Sequence, residues 1–232
     1  MAWRPDLIGL DADDTLWHSE DGFKAVEARF AELVEPWATV RGVDAKDALA
    51  EREREDMILF GYGVKAFTIS MVECAIELSG GTIPAHVLHE LVDEGRRLLA
   101  RPPELFDGVV DAVLDLAQDH RIVVITKGDL LHQERKLAQS GLADHVHGIE
   151  VVSEKDADTY RRVLDRLEVR PEGFLMVGNS VRSDVLPVLA IGGRAVHIPY
   201  EHLWWHEHVD GYDGTFPALR SLGEVRSWLQ RA

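Results

Sequence analysis

Apolar residues recur along this chain in two rhythms. The first run, Leu7-Ile8-Gly9-Leu10, is short and unbroken and stops at Asp11-Ala12-Asp13-Asp14-Thr15-Leu16-Trp17. A continuous apolar run of that length predicts a strand buried on both faces. From about residue 18 to residue 100 the rhythm is helical. Phe23, Val26, Phe30, Leu33, Val34 and Trp37 fall at three- and four-residue spacing behind Ser19 and Asp21, which suit a helix N-terminus. A second helix is expected from near Asp44 through Glu51-Arg52-Glu53-Arg54-Glu55-Asp56, whose alternating signs fit a solvated face. A third carries Val64, Phe67, Met71, Ala75 and Leu78 and stops at Gly80-Gly81; a fourth starts at Pro84 and ends before Pro102-Pro103.

From Glu104 onward short helices alternate with apolar strands, the pattern of βαβ units. The predicted helices cover Asp111 to Gln118, Asp129 to Gln139 and roughly Ala157 to Leu167. The predicted strands cover Arg121 to Ile125, Ile149 to Val152, Phe174 to Val177 and Ala195 to Ile198, with Pro187 expected to bend the helix between the last two. Four helices between one strand and the next exceed an ordinary crossover of a parallel sheet. The expected fold class is therefore α/β: a doubly wound parallel sheet from residues 1–17 and 101–232, with residues 18–100 inserted as a helical cap.

Open α/β sheets bind ligands at the carboxyl ends of their strands. Here four predicted strand ends carry polar groups in order. Asp11 and Asp13 follow the first; Thr126, Lys127 and Gly128 follow Ile122-Val123-Val124-Ile125; Lys155 follows Val151-Val152-Ser153-Glu154; Gly178-Asn179-Ser180 and Asp184 follow Phe174-Leu175-Met176-Val177. Two carboxylates two residues apart on a strand share a face, and like charges that close need a cation, a proton or good solvation. An oxygen-ligated Mg²⁺ would meet the need. Each group also has a plainer reading: an Asp-rich turn, a helix N-cap at Thr126, a surface lysine at Lys155, a polar turn at Asn179.

Charge narrows the functional classes. The 25 basic and 41 acidic groups leave a formal charge of −16, which disfavours nonspecific binding to nucleic acid or anionic lipid. A site for an anionic substrate must then build its own positive potential. Hydrophobic content of 46% is that of a globular protein, and no apolar run reaches the roughly 20 residues of a membrane helix. The expectation is a soluble, cytoplasmic protein. Cys74, the single cysteine, fits a reducing compartment and a packing role.

Taken together, Asp11-Ala12-Asp13-Asp14-Thr15, Thr126, Lys155 and Gly178-Asn179 with Asp184 resemble, in order and spacing, the motifs of the haloacid dehalogenase superfamily of hydrolases. The likeness covers the chain apart from details of the insert, and it implies a Rossmann-like core with a helical cap directly after the first catalytic strand. It also implies roles. Asp11 matches the nucleophile that forms an aspartyl-phosphate, and Asp13 the group that protonates the leaving alkoxide and then takes a proton from water. Thr126 and the amides of the Lys127-Gly128 turn match the phosphoryl-binding site, and Lys155 the cation that stabilises the transition state. Mg²⁺ would be held by the Asp11 carboxylate, the Asp13 main-chain carbonyl and one or both of Asn179 and Asp184, with waters and a phosphate oxygen filling the rest. The chain departs from the family pattern at Lys127, more often Asn, and at Asn179, more often Asp. Members that cleave carbon–halogen bonds lack an acid at the second Asp, so Asp13 favours phosphatase chemistry.

The expected function is Mg²⁺-dependent hydrolysis of a small phosphorylated metabolite. A phosphomutase, a dehalogenase and a non-enzymatic phospho-acceptor or binding module are the alternatives. Gly61-Tyr62-Gly63-Val64-Lys65 enters a cap helix whose first amides and Lys65 could meet a substrate anion. His202, His206 and His208 surround Trp204-Trp205, read as a loop packing its tryptophans on the core or on a second copy in a homodimer.

Overall fold

The computed structural model describes residues 3–39, 42–201, 207 and 216–231. The chain divides into two compact units, Met1–Glu20 with Pro102–Ala232, and Asp21–Arg101. His202, Trp204, Trp205, His206 and His208 lie outside the described residues.

The first unit is built on strands β1 (Leu7–Leu10), β4 (Arg121–Lys127), β5 (Ile149–Val152), β6 (Phe174–Gly178) and β7 (Arg194–His197). They form one parallel sheet in the order β5-β4-β1-β6-β7. A separate antiparallel pair joins β2 (Trp17–His18) to β3 (Glu104–Leu105). Helices α5 (Val109–Ala117), α6 (Leu130–Gln139), α7 (Ala157–Arg166), α8 (Leu186–Ala190) and α9 (Val225–Leu229) complete the unit.

Side chains alternate across the sheet, and both faces are covered. Ile8, Leu10, Ile122, Val124, Leu175 and Val177 join Val113 and Leu116 of α5 and Val225 of α9 in one apolar cluster. Leu7, Val123, Ile125, Phe174 and Met176 join Val163 and Leu164 of α7 and Val188 of α8 in the other. This double coverage explains why the strands read as unbroken apolar runs. β1 lies in the middle, with Leu10 in register with Val124 on one side and Val177 on the other. The segments leaving β1, β4 and β6 therefore emerge side by side at one edge of the sheet.

β4 continues past Ile125 through Thr126 to Lys127, because its neighbour β5 pairs Val151 and Val152 with those two residues. Pro187 does not bend a long helix. Val181–Val185 forms a π-helical turn, and Pro187 sits in the first turn of α8, where a missing N–H is harmless.

The second unit consists of α1 (Glu20–Val34), α2 (Ala45–Phe60), α3 (Val64–Leu78) and α4 (Ala85–Ala100). Phe30, Leu49, Met71 and Leu91 lie at its core. The Asp44 side chain caps α2 by accepting from the N–H groups of Lys46 and Asp47. Trp37, placed by periodicity on the apolar stripe of α1, stands in a short 3₁₀ turn beyond that helix and is exposed. No described helix is long and apolar enough to cross a membrane.

Candidate active site

Asp11 begins where β1 ends, and its N–H donates to the Val177 carbonyl of β6 at 2.9 Å. Its carboxylate is buried, and it accepts from Lys155 Nζ at Oδ1 and from Thr15 Oγ1 at Oδ2, the latter at 3.0 Å. Lys155 also donates to Asp184 Oδ1 at 2.7 Å. Thr15 reaches Asn179 Oδ1 at 3.4 Å. The structure thus gathers Asp11, Lys155, Asn179 and Asp184 at one sheet edge, from three separate strand ends.

Local backbone geometry accounts for the placement of Asp184. The π-helical turn after β6 is capped by Ser180, whose Oγ accepts from the Ser183 N–H, and Asp184 Oδ2 accepts from the Ser180 N–H at 3.0 Å. Asp184 thereby folds back over Gly178, where a Cβ atom would lie 2.2 Å from Oδ2. Only glycine leaves room for that carboxylate.

Two buried carboxylates face one ammonium in this cluster. Burial, helped by the charge of Asp184, pushes Asp11 up to about 7 although Lys155 pulls it back. Burial would lower Lys155, but Asp11 and Asp184 outweigh it and raise the ammonium well above its ordinary value. With both carboxylates ionised, the cluster carries one negative charge more than Lys155 balances, and a cation would offset it and favour ionised Asp11. Among the described residues, no three His, Cys, Asp or Glu side chains are grouped to hold a metal. An ion here would therefore need the Asn179 amide and main-chain carbonyl oxygens beside Asp11 and Asp184. Such an all-oxygen, partly neutral donor set fits a hard ion of the Mg²⁺ type.

Asp13 lies next to this cluster in a second network. Its Oδ1 accepts from Trp17 Nε1 at 2.7 Å and from Lys136 Nζ, and its Oδ2 accepts from Gln133 Nε2 at 2.8 Å. Burial works to raise its carboxyl, but Lys136, Gln133 and Trp17 together hold it below the ordinary range.

Thr126 is buried and donates to the Lys127 carbonyl at 3.2 Å. Lys127 Nζ meets Ser183 Oγ at 3.1 Å and forms an ion pair with Glu207. Gly128 turns the chain at φ +115°, and Gln133 packs against the place its side chain would take. Lys65 is on the first turn of α3 in the helical unit, and exposed.

Thr15, from the motif at residues 11–15, and three polar residues that the sequence motifs do not include, Gln133, Lys136 and Glu207, complete these networks. Glu207 is buried and also accepts from Ser180 Oγ and, at 2.6 Å, from Ser183 Oγ. Burial opposes its ionisation, yet Lys127 and the two serines draw it down to about 2. On α6, Leu130 and Leu131 are exposed while His132, Gln133 and Lys136 are buried beside Leu137, so polar side chains share the covered face of this helix.

Comparison with known proteins follows the same lines. Residues 5–192 match the family model of haloacid dehalogenase-like hydrolases. A haloacid dehalogenase-like family hydrolase from Xanthomonas campestris is 41% identical, with a TM-score of 0.87 over 99% of this chain and 91% of that one. A 2-haloacid dehalogenase from Pseudomonas syringae is 18% identical, with a TM-score of 0.67 over 98% of this chain and 99% of that one. A HAD-hydrolase from Bacillus subtilis bound to magnesium is 20% identical, with a TM-score of 0.66 over 97% of this chain and 99% of that one. At such identities these last two likenesses speak for the fold alone. Among curated proteins none matches the chain. The sheet order, the strand-end cluster and the family match agree: the chain belongs to the haloacid dehalogenase-like hydrolases.

Proposed function

We propose that this hydrolase cleaves phosphate monoesters of small metabolites by in-line attack of Asp11 on phosphorus. The observation that carries the reading is Asp13. Its carboxylate stands two residues beyond Asp11, and 31% of its side chain is exposed. An alkoxide leaving a phosphate ester needs a proton, whereas a departing halide needs none. A carboxyl at this position has work to do in the first reaction and none in the second.

In the proposed cycle Asp11 attacks phosphorus, the ester oxygen leaves, and an aspartyl-phosphate forms. Asp13 gives the leaving oxygen its proton, then takes one from the water that attacks the aspartyl-phosphate. Lys136 favours the ionised form of Asp13, which suits the second step; a phosphoryl dianion arriving beside it pushes the carboxyl back up for the first. Lys155 holds Asp11 in place and balances charge as phosphoryl oxygens approach. Thr126 and the turn at Lys127-Gly128 offer donors to those oxygens. Mg²⁺ held by Asp11, the Asp13 carbonyl, Asn179 and Asp184 would neutralise phosphoryl charge.

Phosphate release from p-nitrophenyl phosphate with Mg²⁺, set beside chloride release from 2-chloropropionate, tests the reading. Phosphate without chloride is the expected result. Chloride release without phosphate would assign the site to dehalogenation.

A further inference from the structure

Asp13 is held from three sides, and two of its holders come from one helix more than a hundred residues away. Gln133 and Lys136 stand three positions apart on α6, so they project from one face toward the same carboxylate. Lys136 takes Oδ1 and Gln133 takes Oδ2, which leaves the carboxylate plane little freedom to rotate. Trp17 binds both partners: its N–H donates to Asp13 Oδ1, and its ring lies 5.5 Å below Lys136 Nζ.

The Gln133 amide shows how strongly this orientation is imposed. Its Nε2 donates to Asp13 and also, at 2.9 Å, to the Lys127 carbonyl, while Oε1 is buried without a partner. A buried acceptor left unpaired is destabilising. Flipping the amide would give that oxygen no better neighbour and would turn it against a carboxylate. The unpaired atom is thus the cost of presenting a donor to Asp13. It also ties Asp13 to the turn that follows Thr126, since the same amide binds Lys127.

We infer that Lys136 and Gln133 are positioning residues that fix the Asp13 carboxylate for proton transfer to the leaving group. The inference rests on the phosphatase reading for its kinetic consequence, but its structural content stands apart from it. Loss of either residue affects esters with poor leaving groups more than esters with good ones, because only the former depend on a well-placed acid.

The test has two arms. In the kinetic arm, kcat/KM is measured on 2-glycerophosphate and p-nitrophenyl phosphate for the wild type, Lys136→Met and Lys136→Arg. The ratio of the two values should fall on the order of tenfold or more in Lys136→Met and recover in large part in Lys136→Arg. An unchanged ratio overturns the inference. In the structural arm, a crystal structure of Lys136→Met should show Asp13 turned away from Gln133 and Trp17. An unmoved Asp13 side chain overturns the inference even if no ester is cleaved. Gln133→Leu, which removes only a neutral donor, takes the place of Lys136→Met in both arms should that variant fail to fold. If the wild type cleaves neither ester the phosphatase reading fails, and the structural arm still decides the positioning.

Discussion

Lys155 and Asp184, 29 positions apart, meet at 2.7 Å with both side chains almost wholly buried. The same ammonium holds Asp11, so one lysine balances two carboxylates from different strand ends. Removing it would leave both charges buried and unopposed. Breaking a buried pair in this way costs about 3–5 kcal/mol. Lys155→Met should therefore lose that much stability in urea unfolding, as well as its activity, and adding Asp184→Asn should restore part of the stability but none of the activity.

Excess negative charge at this site predicts a response to Mg²⁺. At about a hundred times its dissociation constant, an ion that binds only the folded chain adds about 2.7 kcal/mol. The melting temperature should rise with Mg²⁺ in the wild type and stay flat in Asp184→Asn. Calorimetric scans with and without the ion check this.

Gly178 provides a steric test of the Asp184 position. A Cβ there would lie 2.3 Å from Asp184 Cγ, so Gly178→Ala must push the carboxylate off Lys155. Activity should fall at least as far as in Asp184→Ala, and circular dichroism should show the sheet intact. A fully active Gly178→Ala enzyme would contradict the placement of Asp184.

His132 predicts a pH dependence of stability. It is buried on α6 with Nε2 unpartnered, and burial first, then Lys136, lowers it from 6.5 to about 4. The folded chain thus binds fewer protons at this group than the unfolded chain between those values. Its contribution is present in full above about pH 6.5 and is lost as pH falls toward 4. The unfolding free energy of the wild type should drop more between pH 7 and pH 5 than that of His132→Gln.

The legible part of the site was the part carried by strand ends. Asp11, Thr126, Lys155 and Asn179 each follow an apolar run, and a parallel sheet brings the ends of such runs to one edge whatever the intervening sequence. The turn back of Asp184 was less legible, because it depends on a π-helical turn that no periodicity announces. Lys136 and Gln133 were hidden for another reason. A helix pattern tells which residues share a face but not which loop that face meets, and Asp13 is 123 positions from Lys136. β2 and β3, two residues each, are too short for any alternation to register. Glu207 lies in a His- and Trp-rich stretch with no strand or helix periodicity, so nothing in the pattern pairs its carboxylate with Lys127, Ser180 and Ser183.

Attack by Asp11 on phosphorus is most directly tested by quenching the enzyme in acid during turnover of p-nitrophenyl phosphate and weighing the peptide that contains Asp11. A phosphoryl group on that peptide in the wild type, and none with Asp11→Asn, is the predicted result. Sustained phosphate release with no phosphoryl group at Asp11, or an Asp11→Asn enzyme of undiminished rate, would contradict it.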